Sequence, residues 1–390
     1  MNLAVVGSGH VANFLLGFPT RSGVEVSYIC DNNSKKWGDE LLGYKIYPVE
    51  HLLESPVERV IVAVKDDKSI IDQLLNMKFD PKIIVSFKED RLIYGDSNVD
   101  DLFIISRRRL EDDVDMIIKN LLEIKEMIGH VECRQLDSID QISKSEFRIF
   151  SQNREDGIIQ YLIKNMRISE KKFVEFGVQN YIESNTRFLL CNDNWVGLVI
   201  DGNRENIDYI KSDEIYMKYN LTAVHRFITA ENINSIISDA GYAGKIGILS
   251  IDIDGNDYWV WKEINVIDPD IVICEYNPRF GKDEAVTIPY DPEWTRFKVS
   301  YTGAYFGASI RALTELGNTK GYALVASDSH GANLFFVKKE LLNDRVKEVT
   351  VEQAYVKNNY RDTRDKNGLL DYLSFEKVVE KIHDLPLVHV

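Results

Sequence analysis

The stretch KKFVEFGVQN (residues 171–180) places an acid, Glu175, two residues before Gly177, where an apolar run breaks off. Acids recur at the ends of later apolar runs: Asp201 after GLVI, Asp252 and Asp254 in SIDID, and Glu275 in VICEYN. Between them, Ile228 and Thr229 close the run LTAVHRFIT. If these runs are parallel strands, all of the residues named lie at carboxyl ends, where open α/β sheets bind their ligands. A row of carboxylates there suits a ligand with hydroxyl groups and positive charge better than it suits a pyrophosphate.

Such a row meets three demands of an adenosine-bearing ligand. Gly177 offers a flat amide surface beside a ribose, Asp201 an acid for the two ribose hydroxyls, and Glu175 or Asp252 an acid for a charged amine. Thr229 joins these as a binding candidate. S-adenosylmethionine satisfies all three demands, and its sulfonium tolerates an acidic rim. Methyl transfer is an in-line displacement governed by alignment, with a base needed only for the acceptor's proton. Asp252, Asp254, His225 and His330, the last in SDSHGANLFF, are the candidate bases. His225 lies inside an apolar run and is expected in the core. Asp252, Asp254, Glu275 and His330 can instead gather round a divalent ion, which would bind a diol and acidify it. The plainer alternative is that these carboxylates only bind the cofactor or cap helices.

Two series of apolar runs alternate with helical patterns, the mark of βαβ units. Residues 1–87 form the first, with strands expected at LAVVG, VEVSYICD, VERVIVAV and KIIVSF. Residues 151–340 form the second, with seven strands from KFVEFG to ANLFFVKK and a hairpin-like finish. An opening helix is expected in SQNREDGIIQYLIKN with Ser151 as its N-cap. Residues 88–150 are charged and carry a helical stripe through Val114, Ile117, Ile118, Leu121, Leu122, Lys125 and Ile128, so they read as a linker helix. That stripe must bury against something: its own chain is the expectation, a second copy the alternative. Residues 341–390 are polar with scattered aromatics and suggest no role. The fold class is therefore α/β, two Rossmann-like doubly wound sheets joined by a helical linker, the second a seven-stranded, methyltransferase-type sheet.

The chain has 390 residues, 44% of them hydrophobic, and a formal charge of −15. The length implies two or three domains, and the acidity argues against a nucleic-acid partner, whose phosphates are bound by Lys and Arg. Four cysteines without CxxC spacing read as reduced thiols. No run approaches the ~20 apolar residues of a membrane span, and the start MNLAVVGSGH lacks a secretory pattern. A cytoplasmic protein is expected.

The turn VVGSGHVANFLL fits G-x-G-x-x-A through Gly7, Gly9 and Ala12, with Asp31 at the end of the next strand in the place of a ribose-binding acid. His10 either touches a ligand or caps the helix. With ICDNNSKKWGDELLGYKIYPVEHLL, the first 85 or so residues resemble the N-terminal domain of bacterial sugar acyltransferases. The resemblance implies a sugar nucleotide at Gly7, Gly9, His10 and Asp31.

The second series supplies a longer resemblance. FSQNREDGIIQYL, FVEFGVQNYIESNTRFLL, WVGLVIDGNRENID, ITAENINSII, ILSIDIDGNDYWVWKEI, IVICEYN and GASIRALTELGNTKGYALV, closing in GANLFFV, resemble in order the FkbM-type branch of S-adenosylmethionine-dependent methyltransferases. After Gly177 the chain runs Val178-Gln179-Asn180, without the later glycines of the usual E-x-G-x-G-x-G run. The tract NPRFGKDEAVTIPYDPEWT, with Arg279 and Lys282, reads as a lid or acceptor wall. The reading is a methyltransferase acting on a carbohydrate or carbohydrate-linked acceptor, small molecule or glycan. A non-catalytic sugar-nucleotide-binding or assembly protein with a degenerate methyltransferase domain, and a metal-dependent hydrolase using the acidic cluster, are the alternatives.

Overall fold

The computed structural model describes residues 1–17, 24–64, 67–87 and 99–390. It divides into two compact units, Met1–Asn120 and Leu121–Val390. Each is α/β and built on one sheet in which parallel pairing dominates, as the alternating runs lead one to expect.

In the first unit the strands are β1 (Asn2–Val6), β2 (Glu25–Cys30), β3 (Glu40–Leu41), β4 (Tyr44–Tyr47), β5 (Arg59–Val62) and β6 (Ile84–Ser86). Their order is β3-β4-β2-β1-β5-β6. On β1, Leu3 and Val5 pack against Ala12 and Leu15, while Ala4 and Val6 pack on the other face with Leu52 and Leu74. Successive side chains alternate between faces, and because both faces are covered the strand reads as an unbroken apolar run. β3 and β4 are additions to the four strands expected. Leu42 and Gly43, with φ of 51° and 87°, form the two-residue turn of a hairpin. Positive φ at both positions is what a type I′ turn requires.

The second unit contains all seven expected sheet strands: β7 (Lys172–Phe176), β8 (Val196–Asp201), β9 (Leu221–His225), β10 (Gly244–Ile251), β11 (Ile267–Glu275), β13 (Tyr322–Ser327) and β14 (Asn333–Lys338). Two short strands, β12 (Val286–Thr287) and β15 (Val388–His389), pair apart from that sheet. The order is β13-β14-β11-β10-β7-β8-β9, with β14 antiparallel to both neighbours. Outward from β7 the chain visits β8 and β9 on one side, then β10 and β11 on the other. The order therefore reverses between β7 and β10, where an open sheet leaves a crevice.

The opening helix runs Glu155–Asn165, and its N-cap is Arg154 rather than Ser151. Ser151 instead donates backbone and hydroxyl hydrogens, each at 2.8 Å, to the buried Asp156 carboxylate. That carboxylate also takes the amides of Ile149 and Phe150, which pulls the chain inward before the helix.

A helix of 37 residues, Val99–Gln135, carries the expected stripe; residues 88–98 of the expected linker lie outside the described residues. It has two faces. On one, Lys125 lies 4.9 Å over the Phe150 ring, and a Cβ at Gly129 would meet Phe188 at 2.5 Å. On the other, Val114, Ile117, Leu121, Ile124, Ile128 and Val131 are all exposed. Most of the stripe is thus left unburied, contrary to the expectation that it packs on its own chain.

Residues after 341 belong to the second unit. Val378 and Ile382, from the helix Phe375–Ile382, pack with Ile288, Trp294 and Tyr305. They buttress the tract expected to wall the site. Among the described residues, no helix is long and apolar enough to cross a membrane.

Candidate functional site

β7 and β10 end side by side at the reversal point. Gly177, with φ of +78°, follows β7, and a Cβ on it would sit 1.4 Å from the Asp252 carbonyl oxygen. The bare α-carbon is therefore demanded by the neighbouring backbone, whatever a ligand also requires. Asp201 closes β8 and is buried. Its Oδ2 accepts from the Gln179 amide at 2.8 Å, and its Oδ1 from the Asn203 amide at 2.8 Å and Asn206 Nδ2 at 3.0 Å. One carboxylate thus ties the turn after β7 to the helix after β8.

Gly177, Asp201 and Asp252 line a single cavity of about 260 Å³. Phe227 and Ile228 supply its apolar wall, and Trp294 reaches it from the expected lid tract. Phe227 is 49% exposed, a flat apolar face left at the cavity. Thr229 stands one residue beyond this wall; its amide donates to Asn232 Oδ1 at 2.9 Å, ahead of the next helix. His225 ends β9 half-buried, with Nε2 3.1 Å from the Gly202 carbonyl, so it is not the core histidine expected.

Glu175 lines a smaller cavity of about 90 Å³ that shares Gly177, Gln179 and Asp252 with the first. Its carboxylate is spent on the protein. Oε1 accepts from the Asn185 amide at 2.9 Å and the Ser250 hydroxyl at 3.3 Å. Oε2 accepts from the Thr186 amide at 3.2 Å and from the Thr186 hydroxyl. Burial pushes Glu175 above the usual carboxylate range, and these donors oppose that rise. Its observed work is to shape the loop that closes the smaller cavity.

Carboxylate oxygens of Asp252, Asp254 and Glu275 lie within 4.8 Å of one another. Burial, with the Asp254 charge next, pushes Asp252 well above the usual range; burial, then Asp252, does the same to Glu275. Among the described residues, Glu275 Oε2 has no hydrogen-bond partner. Asp254, at φ 54°, pairs with Arg296, and its carbonyl accepts from Trp294 Nε1 at 3.0 Å. Asp257 does not join the trio. It is buried and accepts from the amides of Ile253 and Gly255, each at 2.9 Å, and burial holds its carboxyl up at about 6 despite them. It shapes the loop that presents Asp252 and Asp254. A hard cation wants several carboxylate oxygens, and its charge would reverse the upward shifts of Asp252 and Glu275.

His330 stands apart from that trio. It occupies the turn between β13 and β14, and its ring stacks on Tyr360 at 6.4 Å between centroids. In the first unit, the Asp31 carboxylate is taken up locally. It accepts from the Ser8 amide at 2.8 Å, the Ser8 hydroxyl at 2.5 Å and the Asn33 amide at 2.8 Å, with Lys36 3.9 Å away. Burial raises its carboxyl, but these donors outweigh it and hold the group below the usual range. Gly7, at φ +111°, is forced by Val64 and the Ala63 carbonyl, 2.7 and 2.8 Å from where a Cβ would stand. Gly9 and His10 are exposed at the start of the helix His10–Leu16.

Site residues that the sequence reading passed over are Gln179, Asn206, Phe227 and Arg296. Gln179 stands at the second glycine position of the E-x-G-x-G run, which was the signal available in the sequence, and it keeps a positive φ of 50° there.

No protein-family model and no curated protein matches the chain. Among solved structures, a Rex-family repressor is similar over 30% of this chain and 63% of its own, at 21% identity and a TM-score of 0.20. The chain thus spans less than two thirds of that protein's length. An O-methyltransferase from Bacillus cereus in complex with SAH is similar over 53% of this chain and 91% of its own, at 15% identity and a TM-score of 0.32. TrmK of M. capricolum, in complex with S-adenosyl-homocysteine, is similar over 58% and 87%, at 11% identity and a TM-score of 0.31.

Proposed function

We propose that the second unit is an S-adenosylmethionine-dependent methyltransferase. The observation that carries the reading is convergence: Gly177, Asp201, Phe227 and Asp252, from four strand ends, line one cavity at the reversal point of the sheet. Their chemistry fits the cofactor. Asp201 Oδ2, which takes one donor, can accept a ribose hydroxyl, Phe227 offers a face to a flat base, and Asp252 offers a carboxyl whose ionised form a nearby amine or sulfonium would favour. Bound there, the cofactor supplies an electrophilic methyl group. Asp252 and Asp254 are the bases we assign for the acceptor's proton. His330 is assigned to hold Tyr360, on which it stacks. A carbohydrate-linked acceptor, and a sugar nucleotide at Gly7, Gly9, His10 and Asp31, rest on the sequence resemblance alone.

The trio of Asp252, Asp254 and Glu275 supports a second reading, a divalent-cation site, because a buried carboxylate oxygen of Glu275 is left without a partner. One calorimetric experiment serves both readings. S-adenosylhomocysteine is titrated into the protein with and without magnesium, and into Asp201→Ala. Binding that weakens by about tenfold or more in the variant, the loss of a charge-assisted bond, is expected. No binding to the wild type, or unaltered affinity in Asp201→Ala, removes the cofactor. No heat from magnesium alone removes the ion.

The exposed stripe of the long helix is assigned to a second copy of this chain. Its residues recur at 114, 117, 121, 124, 128 and 131, the alternating spacing of three and four that coiled-coil seams use.

A further inference from the structure

Next to the cofactor cavity lies another of about 430 Å³, entirely within the second unit. β11 contributes Glu275, the lid tract Arg279, the residue just after that tract Arg296, and the segment beyond β14 Asn358, Arg361 and Asp362. Arg279 is the unusual member. Its side chain is 2% exposed, and its guanidinium meets one carboxylate, Asp362, at 3.3 Å. Arg296 reaches the other oxygen of the same carboxylate at 3.7 Å and lies 4.5 Å over the Phe306 ring.

Asp362 is a poor counter-ion for a buried cation. It is 52% exposed, it is shared between two arginines, and both contacts are long beside the ~2.8 Å of a good charge-assisted bond. Among the described residues, Arg279 Nε and Asn358 Oδ1 also have no hydrogen-bond partner, although the residues are only 6% and 5% exposed. A buried charge is tolerated when it is paired and its hydrogen bonds are made. Here a donor that wants an anion and an acceptor that wants a hydroxyl lie in the same wall.

We propose that this cavity binds a hydroxylated oxyanion, a phosphate ester or a carboxylate, with Arg279, Arg296 and Arg361 taking the anion in place of Asp362 and Asn358 Oδ1 taking a hydroxyl. Glu275 lines this cavity and lies within 4.8 Å of Asp252 and Asp254, which line the cofactor cavity. A ligand anchored on the arginines therefore ends beside the cofactor. That it is the methyl acceptor rests on the methyltransferase reading; that it is an anion does not.

The test is a thermal-shift titration of the full chain at constant ionic strength with inorganic phosphate, acetate and, as a neutral control, glycerol. Phosphate or acetate is expected to stabilise the wild type, and the stronger of the two identifies the anion. Affinity should fall about tenfold in Arg296→Gln and Arg361→Gln, stay unchanged in Lys245→Gln, an exposed position that lines none of these cavities, and rise several-fold in Asp362→Asn, where the competing charge is gone. Arg361 and Asp362 are exposed, so Arg361→Gln and Asp362→Asn fold even if Arg279→Gln and Arg296→Gln do not. No response to either anion in the wild type and Asp362→Asn, or responses that the arginine variants leave intact, overturns the proposal. S-adenosylhomocysteine binding measured on the same samples separates the two readings: an anion response without it removes the cofactor alone, and its presence without an anion response removes this site alone.

Discussion

Glu155 shows how a single buried acid sets a pH dependence. It is fully buried, and burial first and Asp328 second push its carboxyl up to about 7 from an ordinary value of 4.5. The folded state thus keeps a proton that the unfolded chain has lost, so stability drawn from this group declines as pH rises through that window. Glu155→Gln keeps the acceptor for Asn333 or the Asn153 amide but not the titration. Its stability relative to the wild type should rise by on the order of 3 kcal/mol between pH 5 and pH 8. Urea unfolding at both pH values measures this; a difference that stays constant would show that Glu155 does not titrate. The same residue-level view explains what the sequence disclosed of the site. Asp201 and Asp252 were legible because acids that end apolar runs stand out. Glu175 has the same signature, yet its oxygens go to Asn185, Thr186 and Ser250, partners that come from a loop and a neighbouring strand and leave no local trace.

At the level of elements, the long helix makes the clearest claim. Its outward seam has six apolar residues in coiled-coil spacing, all exposed. Leu121→Glu places a charge in that seam, where burial without a partner is costly. Sedimentation velocity should show the wild type as a dimer at micromolar concentration and Leu121→Glu as a monomer with the same circular dichroism. A monomeric wild type would end the assignment. The helix itself was readable from its periodicity, whereas which face meets the chain was not, since Gly129 against Phe188 is a contact of shape. The hairpin of β3 and β4 escaped notice for a different reason: strands of two and four residues are too short to show alternation.

Over the whole molecule, the seven strands were accessible because strands covered on both faces are written as apolar runs, whereas their order was not. The anion cavity was not, because Arg279, Arg296 and Arg361 are separated by up to 82 positions and each alone looks like surface charge. The last fifty residues, polar and unassigned in the sequence, gain meaning only where Asn358 and Asp362 close that cavity and Val378 supports Trp294. Of the five tryptophans, Trp294 is the one that, among the described residues, lines the cavity proposed for the cofactor, fixed by its bond to the Asp254 carbonyl. The chain therefore carries its own optical reporter: stacking of a purine nearby should dim indole emission saturably, and Trp294→Phe should abolish that dimming while the remaining indole emission persists.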